Sequence, residues 1–188
     1  MITIIGNGES RATINVDNIK HFKVGCNGIY LYHFVNLICA MDKFWRDKIV
    51  KESAIPLISR YTNNAFQTTL EIYDKEWKST DCAYRGYCSG TTALDYVCSQ
   101  YKNKSIYLIG FDLNPTGEFV NHIYKDTKFH PKSDRPAQNQ NIFLKQTLDI
   151  VKRYPLHKIY WVNNTDFDIK INIISIEEYK ELAYVEMD

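Results

Sequence analysis

Ile2-Thr3-Ile4-Ile5-Gly6-Asn7-Gly8-Glu9-Ser10-Arg11 is the stretch on which the fold turns. A short β-branched run stops abruptly at Gly-Asn-Gly, and a polar, helix-starting Glu-Ser-Arg follows. Glycine admits positive φ and lets another backbone or a ligand come close, and the free N–H groups of a helix start attract anions. A buried strand delivering such a turn is the opening unit of a nucleotide-binding α/β domain. Asn-Gly is also ordinary turn chemistry, so the rest of the chain decides between a phosphate loop and a plain turn.

Outward from that stretch, strand-like runs alternate with helical ones. His21–Gly25 reads as a second strand ending in Cys26-Asn27-Gly28, and Val35–Ala40 as a third running into Met41-Asp42. Phe44–Glu52 has a helical pattern, Ala54–Ile58 is a brief apolar strand, and Thr68–Tyr73 alternates enough to be another. Residues 74–87 are polar and aromatic and receive no element. Ser89-Gly90-Thr91-Thr92 opens a helix through about Tyr101, and Ser105–Ile109 is the clearest strand, closing in Gly110-Phe111-Asp112. Asn139–Tyr154 is an amphipathic helix, His157–Val162 and Ile171–Ile174 are strands, and Ser175-Ile176-Glu177-Glu178 is a capping box for a final helix. This alternation predicts an α/β fold: one Rossmann-like domain with a mostly parallel sheet and helices on both faces. In such sheets ligands gather at the carboxyl ends of strands. Gly6-Asn7-Gly8, Asn27, Asp42 and Gly110-Phe111-Asp112 would all project there, with Ser89-Gly90-Thr91 on the same rim.

The 188 residues suit one domain, and 45% apolar with 24% charged residues is the balance of a globular protein. A net charge of +1 gives no global field for polyanions, so nucleic-acid contact would need a local patch. Five cysteines without a C-x-x-C pair fit a reducing cytosol better than a disulfide framework. With no signal peptide and no membrane-length apolar run, the expectation is a soluble cytoplasmic protein.

The ordered set of turns resembles a known family. Gly6-Asn7-Gly8-Glu9-Ser10 is similar to the G-N-G-P-S opening of the bacterial sialyltransferases of glycosyltransferase family 42. Cys26-Asn27 resembles that family's C-N, Ser89-Gly90 its S-G before a helix, and Ile106–Asp112 its I-Y-L-x-G-x-D. Asn163 stands where the family ends a strand in Pro-Asn, and Asp112-Leu113 matches the G-x-D-L of related motility-associated and capsule glycosyltransferases. The resemblance spans most of the chain. It implies a sialyltransferase-like, GT-A-variant fold and a transferase that moves a sugar from a nucleotide donor, CMP- or UDP-linked, to an acceptor hydroxyl without a metal or other cofactor. Gly6, Asn7, Gly8 and Ser10 would line the nucleotide's phosphate and ribose, and Asn27 and Asp42 would reach the donor's sugar or ribose. Ser89, Gly90 and Thr91 would bind phosphate, while Gly110, Phe111 and Asp112 would hold the base and ribose edge.

The departures from the family lie on the catalytic side. Asn139 aligns with the family's general-base histidine, and Asn114 and Phe119 stand where it has leaving-group tyrosines. His130 and His122 are the nearby candidates for the base, and Tyr124 is the nearest substitute tyrosine. The stretch from about 114 to 138 carries three prolines and several basic residues without periodicity, which suits a lid over the donor or a solvated basic loop. A transferase needs both a base and positive charge on the departing phosphate; Lys125, Lys128, His130, Lys132 and Arg135 would supply them.

Bland readings compete elsewhere. Asp166-Phe167-Asp168 imitates a metal-binding D-x-D but reads as a solvated loop. His21, His33 and His157 read as structural histidines, and Cys88 as packing rather than a low-pKa nucleophile. Tyr84, Arg85 and Tyr87 suit either a stacking surface or a sheet-edge cover. Two rival functions stand beside glycan transfer. A virus-encoded enzyme that glycosylates modified DNA bases would use the basic lid to track phosphates. A non-catalytic nucleotide-binding module would need neither the histidine nor the tyrosines.

Overall fold

In the computed structural model, residues 1–61, 69–113, 122–130, 140–164 and 170–185 are described. Nine strands form one sheet: β1 (Ile2–Ile5), β2 (Phe22–Cys26), β3 (Leu37–Cys39), β4 (Leu57–Ser59), β5 (Thr69–Tyr73), β6 (Trp77–Ala83), β7 (Ser105–Ile109), β8 (Lys158–Val162) and β9 (Asn172–Ile174). Their order is β6-β5-β4-β3-β2-β1-β7-β8-β9. Every pairing from β4 through β9 is parallel, whereas β4–β5 and β5–β6 are antiparallel. The architecture is Rossmann-like α/β.

Helices cover both faces, which is why β1 reads as an unbroken apolar run rather than an alternation. On one face α2 (Ser89–Gln100) and α3 (Gln140–Arg153) bring Leu94, Val97 and Ile150 against Ile4, Val24 and Leu108. On the other, α1 (Lys43–Glu52) and α4 (Ile176–Ala183) bring Trp45, Ile49 and Tyr179 against Ile5, Ile38 and Ile109. The expected capping box is present: the Glu178 N–H donates to Ser175 Oγ at 3.2 Å, and the Ser175 N–H donates to the Glu178 carboxylate at 3.0 Å. None of the described helices is long and apolar enough to cross a membrane.

Two expectations need correction. Residues 74–87 hold a strand after all, β6, antiparallel to β5 across a turn in which Lys75 has φ 69°. It is an edge strand with only Cys82 fully buried, so it lacks the apolar alternation that marks a strand in sequence. The fourth strand begins at Leu57 rather than Ala54 because Pro56 has no N–H for the ladder. Its carbonyl instead accepts the Ile38 N–H at 2.9 Å.

The sheet order sets the position of the site. From β1 the chain steps outward through β2, β3 and β4, and it later returns beside β1 as β7 before stepping the other way. The order reverses between β1 and β7, and their carboxyl ends flank the crevice where such folds bind ligands.

Candidate functional site

The turns after β1 and β7 run side by side. The Gly6 N–H donates to the Ile109 carbonyl and the Gly8 N–H to the Gly110 carbonyl, both at 2.9 Å. No side chain fits between them. A Cβ on Gly8 would stand 2.4 Å from Asp112 Oδ2, and one on Gly6 would stand 2.4 Å from the Gly110 carbonyl oxygen. Gly110 itself takes φ +64°, open to glycine at little cost. The Gly-Asn-Gly spacing is therefore a packing requirement of the switch point.

A cleft of about 240 Å³ opens over this junction, close to the lower end of the roughly 300–1,000 Å³ range of small-ligand sites. Gly6, Asn7 and Gly8 form one side, Cys26 and Asn27 the end of β2, and Cys88 to Thr91 the start of α2. Gly110 to Leu113 run alongside Gly6 to Gly8, and His122 and Phe143 complete the lining. Ten of the twelve residues assigned to a nucleotide from the sequence line this cleft; Ser10 and Asp42 do not. Asp42 is an exposed residue at the N-cap of α1 and does not line the cleft. It ends β3, two strands from the switch point.

Several polar groups that the sequence offers to a ligand are used internally. Ser89 Oγ donates to Asn27 Oδ1 at 2.9 Å and accepts the Met41 N–H at 3.1 Å, tying β2, β3 and α2 together. Asn27 takes φ 51°, a conformation asparagine tolerates. What remains at the start of α2 is backbone: the N–H groups of Ser89, Gly90 and Thr91 have no acceptor within the helix. Ser10 lies outside the cleft, and its N–H reaches Asp112 Oδ2 at 3.4 Å. Thr91 Oγ1 donates to Gln146 Oε1 at 2.6 Å, and the Phe111 ring packs over Gly90.

Three polar side-chain atoms on these two loops are left over, Asn7 Oδ1, Asp112 Oδ1 and Ser10 Oγ, of which the first two can only accept. Asn7 Nδ2 donates to the Cys26 carbonyl at 3.3 Å, but Asn7 Oδ1 is buried without a partner, as is Asp112 Oδ1. Burial raises the Asp112 carboxyl above its ordinary value, with Ser10 acting the other way. Buried acceptors without donors are uncommon in folded proteins. A ligand bearing hydroxyl or amino donors would satisfy both.

The described part of the expected lid, residues 122–130, forms turns fastened to the first loop. The Ile123 N–H donates to the Asn7 carbonyl at 2.8 Å, and Lys125 pairs with Glu9 at 2.5 Å. His122 stands 4.5 Å from His130, ring to ring, and His130 stacks on Trp45 at 5.4 Å. Tyr124 lies flat on Tyr32, ring centroids 4.0 Å apart. Burial, then the neighbouring His130 and Arg11, lower the His122 pKa to about 4, so it is neutral at pH 7. The Tyr124 N–H donates to His122 Nδ1 at 3.2 Å, which leaves the ring proton on Nε2 and makes His122 a donor there. His130 Nε2 is buried and has no partner, and burial lowers the pKa of that ring as well. Of the three catalytic candidates, His122 lines the cleft, His130 stands behind it, and Tyr124 accepts a hydrogen bond from Arg11 at 2.8 Å.

Arg11 escaped the sequence reading. It is 1% exposed; Nε donates to the Gly6 carbonyl at 2.8 Å, and the guanidinium lies 5.2 Å from the centre of the Tyr124 ring. Nothing in a lone arginine after a turn signals burial. Phe143 was visible only as an apolar helix position.

Other side chains serve structure. His21 bonds Thr3 Oγ1 at 2.5 Å, His33 pairs with Asp17 at 3.0 Å, and His157 bonds the Cys98 carbonyl at 3.1 Å. Cys88 lines the cleft with Sγ 3.1 Å from Thr91 Oγ1. Arg85 pairs with Asp95, and Tyr87 bonds Asp149 and Arg153, so both fasten α2 to its surroundings rather than face the cleft. Among the described residues no group of His, Cys, Asp or Glu gathers as a metal-ligand set. Asn114, Phe119, Lys132, Arg135, Asn139 and Asp166-Phe167-Asp168 lie outside the described residues. No protein-family model, curated protein or solved structure matches the chain.

Proposed function

We propose that the chain is a glycosyltransferase of sialyltransferase-like, GT-A-variant type, moving a sugar from a CMP- or UDP-linked donor to an acceptor hydroxyl. The observation that carries it is the meeting of a helix start and two orphaned acceptors in one cleft at the switch point. The cleft brings together two complementary kinds of group. The start of α2 offers N–H donors to phosphate oxygens, whereas Asn7 Oδ1 and Asp112 Oδ1 ask for donors such as ribose hydroxyls. A nucleotide carries both on one molecule.

In the reaction the acceptor oxygen attacks the anomeric carbon, the bond from that carbon to the phosphate oxygen breaks, and the acceptor's proton passes to a base. His130 has the unpartnered Nε2 to take the proton, but it does not line the cleft, so this role requires the 122–130 turns to bring it forward. The phosphate leaves with the electron pair of the broken bond; neutral His122 holds it by a hydrogen bond from Nε2–H, keeping its proton, and the start of α2 stabilises the charge that develops there.

Nucleotide release from a panel of CMP-, UDP- and GDP-linked sugars, read beside thermal shift, tests this. One donor should stabilise the protein and release nucleotide, and His130→Ala should slow turnover by about 10²- to 10⁴-fold, the usual worth of a positioned base. The low His122 pKa and its donor tautomer favour one second reading, a nucleotide-binding module without catalysis. Measurable nucleotide binding with no transfer or hydrolysis of any donor selects it.

A further inference from the structure

Arg11 combines features that rarely coexist. Its side chain is fully buried, yet among the described residues no carboxylate pairs with it. Its partners are a carbonyl, Gly6 O, and a phenol, Tyr124 Oη, both neutral. Taking a guanidinium out of water costs several kcal/mol unless a counter-charge meets it, and the Tyr124 ring beneath it recovers only part of that. A partly exposed arginine elsewhere in the chain follows the ordinary rule. Arg153 has Asp95 at 2.7 Å and Asp149 besides.

The charge stands directly behind the cleft. Its Nε holds the carbonyl of Gly6, and its Cδ would lie 2.9 Å from a Cβ on Gly110, so it supports both loops of the switch point from beneath. Its field reaches the cleft-lining side chains: it partly offsets the burial that raises the Cys26 thiol, and it adds to the burial that keeps His122 neutral. A guanidinium keeps its charge at any ordinary pH. A positive charge therefore stands behind the cleft with no anionic partner among the described residues, and an anion bound in the cleft would supply one.

We propose that Arg11 is the counter-charge for the phosphate group of the cleft's ligand, a fixed cation that the sequence motif itself does not contain. This rests on the nucleotide reading of the cleft, but it makes a separate claim: the phosphate, not the nucleoside, depends on Arg11. Tyr124 then orients the guanidinium, and the 122–130 turns are linked to the anion through that phenol.

Titration calorimetry on the full chain tests it, with cytidine, CMP and inorganic pyrophosphate as probes, on wild type, Arg11→Lys and Arg11→Gln. Arg11→Gln should weaken CMP and pyrophosphate by about 10- to 100-fold, the worth of a charge-assisted contact, and leave cytidine within about twofold. Arg11→Lys keeps the charge and should hold CMP and pyrophosphate within about threefold. Equal losses for cytidine and CMP, or no loss for either, would overturn the proposal while leaving nucleotide binding intact. Pyrophosphate binding that depends on Arg11, with no binding of cytidine or CMP, would instead sink the nucleotide reading and keep the anion site. If Arg11→Gln loses its cooperative melt, Arg11→Lys decides alone: pyrophosphate affinity within threefold supports the role, and a loss beyond tenfold overturns it.

Discussion

The two ends of the parallel strands treat buried polar groups in opposite ways. Near the amino end of β1, Thr3 Oγ1 bonds both His21 Nε2 and the Tyr179 hydroxyl, at 2.5 and 2.8 Å, and buried Lys23 donates to the Val16 carbonyl at 3.3 Å. At the carboxyl end stand Asn7 Oδ1, Ser10 Oγ, Asp112 Oδ1 and His130 Nε2, and these are the buried side-chain atoms left without a partner among the described residues. The same sheet, with the same apolar faces, finishes one end and leaves the other open. A protein optimised only for stability would finish both, since each orphan costs about 1–3 kcal/mol. The open end is where a ligand is expected to complete the hydrogen bonding.

Acid attacks both ends at once and gives the largest expected effect. Burial lowers the pKa of His21, at the finished end, to about 4, with the N-terminus and Lys23 adding to it. His122, at the open end, is lowered to about 4 as well. Both have ordinary values of 6.5 when unfolded. Between pH 6.5 and 4 the unfolded chain therefore holds more protons than the folded one, and stability falls as pH falls through that window. A shift of this size corresponds to about 3 kcal/mol per histidine. The raised Asp112 carboxyl acts in the opposite sense, gaining stability as it protonates. Urea melts at pH 7, 5 and 4 should show the loss, and His21→Gln should remove the His21 share of it, leaving that of His122 and His130. Stability that stays flat from pH 6.5 to 4 would mean that neither ring is buried as described.

Thr3→Val probes the finished end alone. Valine keeps the shape of threonine, so packing is preserved while His21 Nε2 and the Tyr179 hydroxyl lose their shared partner. The expected cost is about 2 kcal/mol at pH 7.5, with nucleotide affinity unchanged because the site lies at the other end of the strand. Denaturation and calorimetry on the same sample read both quantities. A loss of affinity without a loss of stability would erase the distinction between the two ends.

How much of this was legible in the sequence follows from how local each cause is. Gly6-Asn7-Gly8 and Gly110-Phe111-Asp112 announce themselves because turn chemistry is written in consecutive residues, and parallel-sheet logic places strand ends on one rim. Which of those ends meet depends on strand order. Asp42 was grouped with the others because β3 also ends at the rim, yet the order of strands leaves it outside the cleft. Ser89 is placed with phosphate by the helix-start argument, and its hydroxyl is instead occupied in tying Asn27 to Met41, which leaves its backbone for that role. Strand β6 lacked a signal because an edge strand needs no apolar face. Arg11 was invisible because its burial is imposed by Gly110 and Tyr124, about a hundred residues away in the chain.

Asp112→Asn gives the smallest change in stability and separates the two ends most sharply. The amide fits the space of the carboxylate and keeps an oxygen for the Ser10 N–H, while the buried negative charge disappears. That charge is disfavoured in the folded state, as the raised pKa indicates, so the ligand-free protein should hold its stability within about 1 kcal/mol or gain slightly. Nucleotide affinity should fall at least about tenfold, because an amide nitrogen where Oδ1 stood cannot accept from a hydroxyl. Thr3→Val thus costs stability and spares binding, and Asp112→Asn does the reverse. If Asp112→Asn instead unfolds the protein by more than about 2 kcal/mol and leaves affinity untouched, Asp112 belongs with Thr3 as a structural group. The carboxyl end would then be no more a binding site than the amino end.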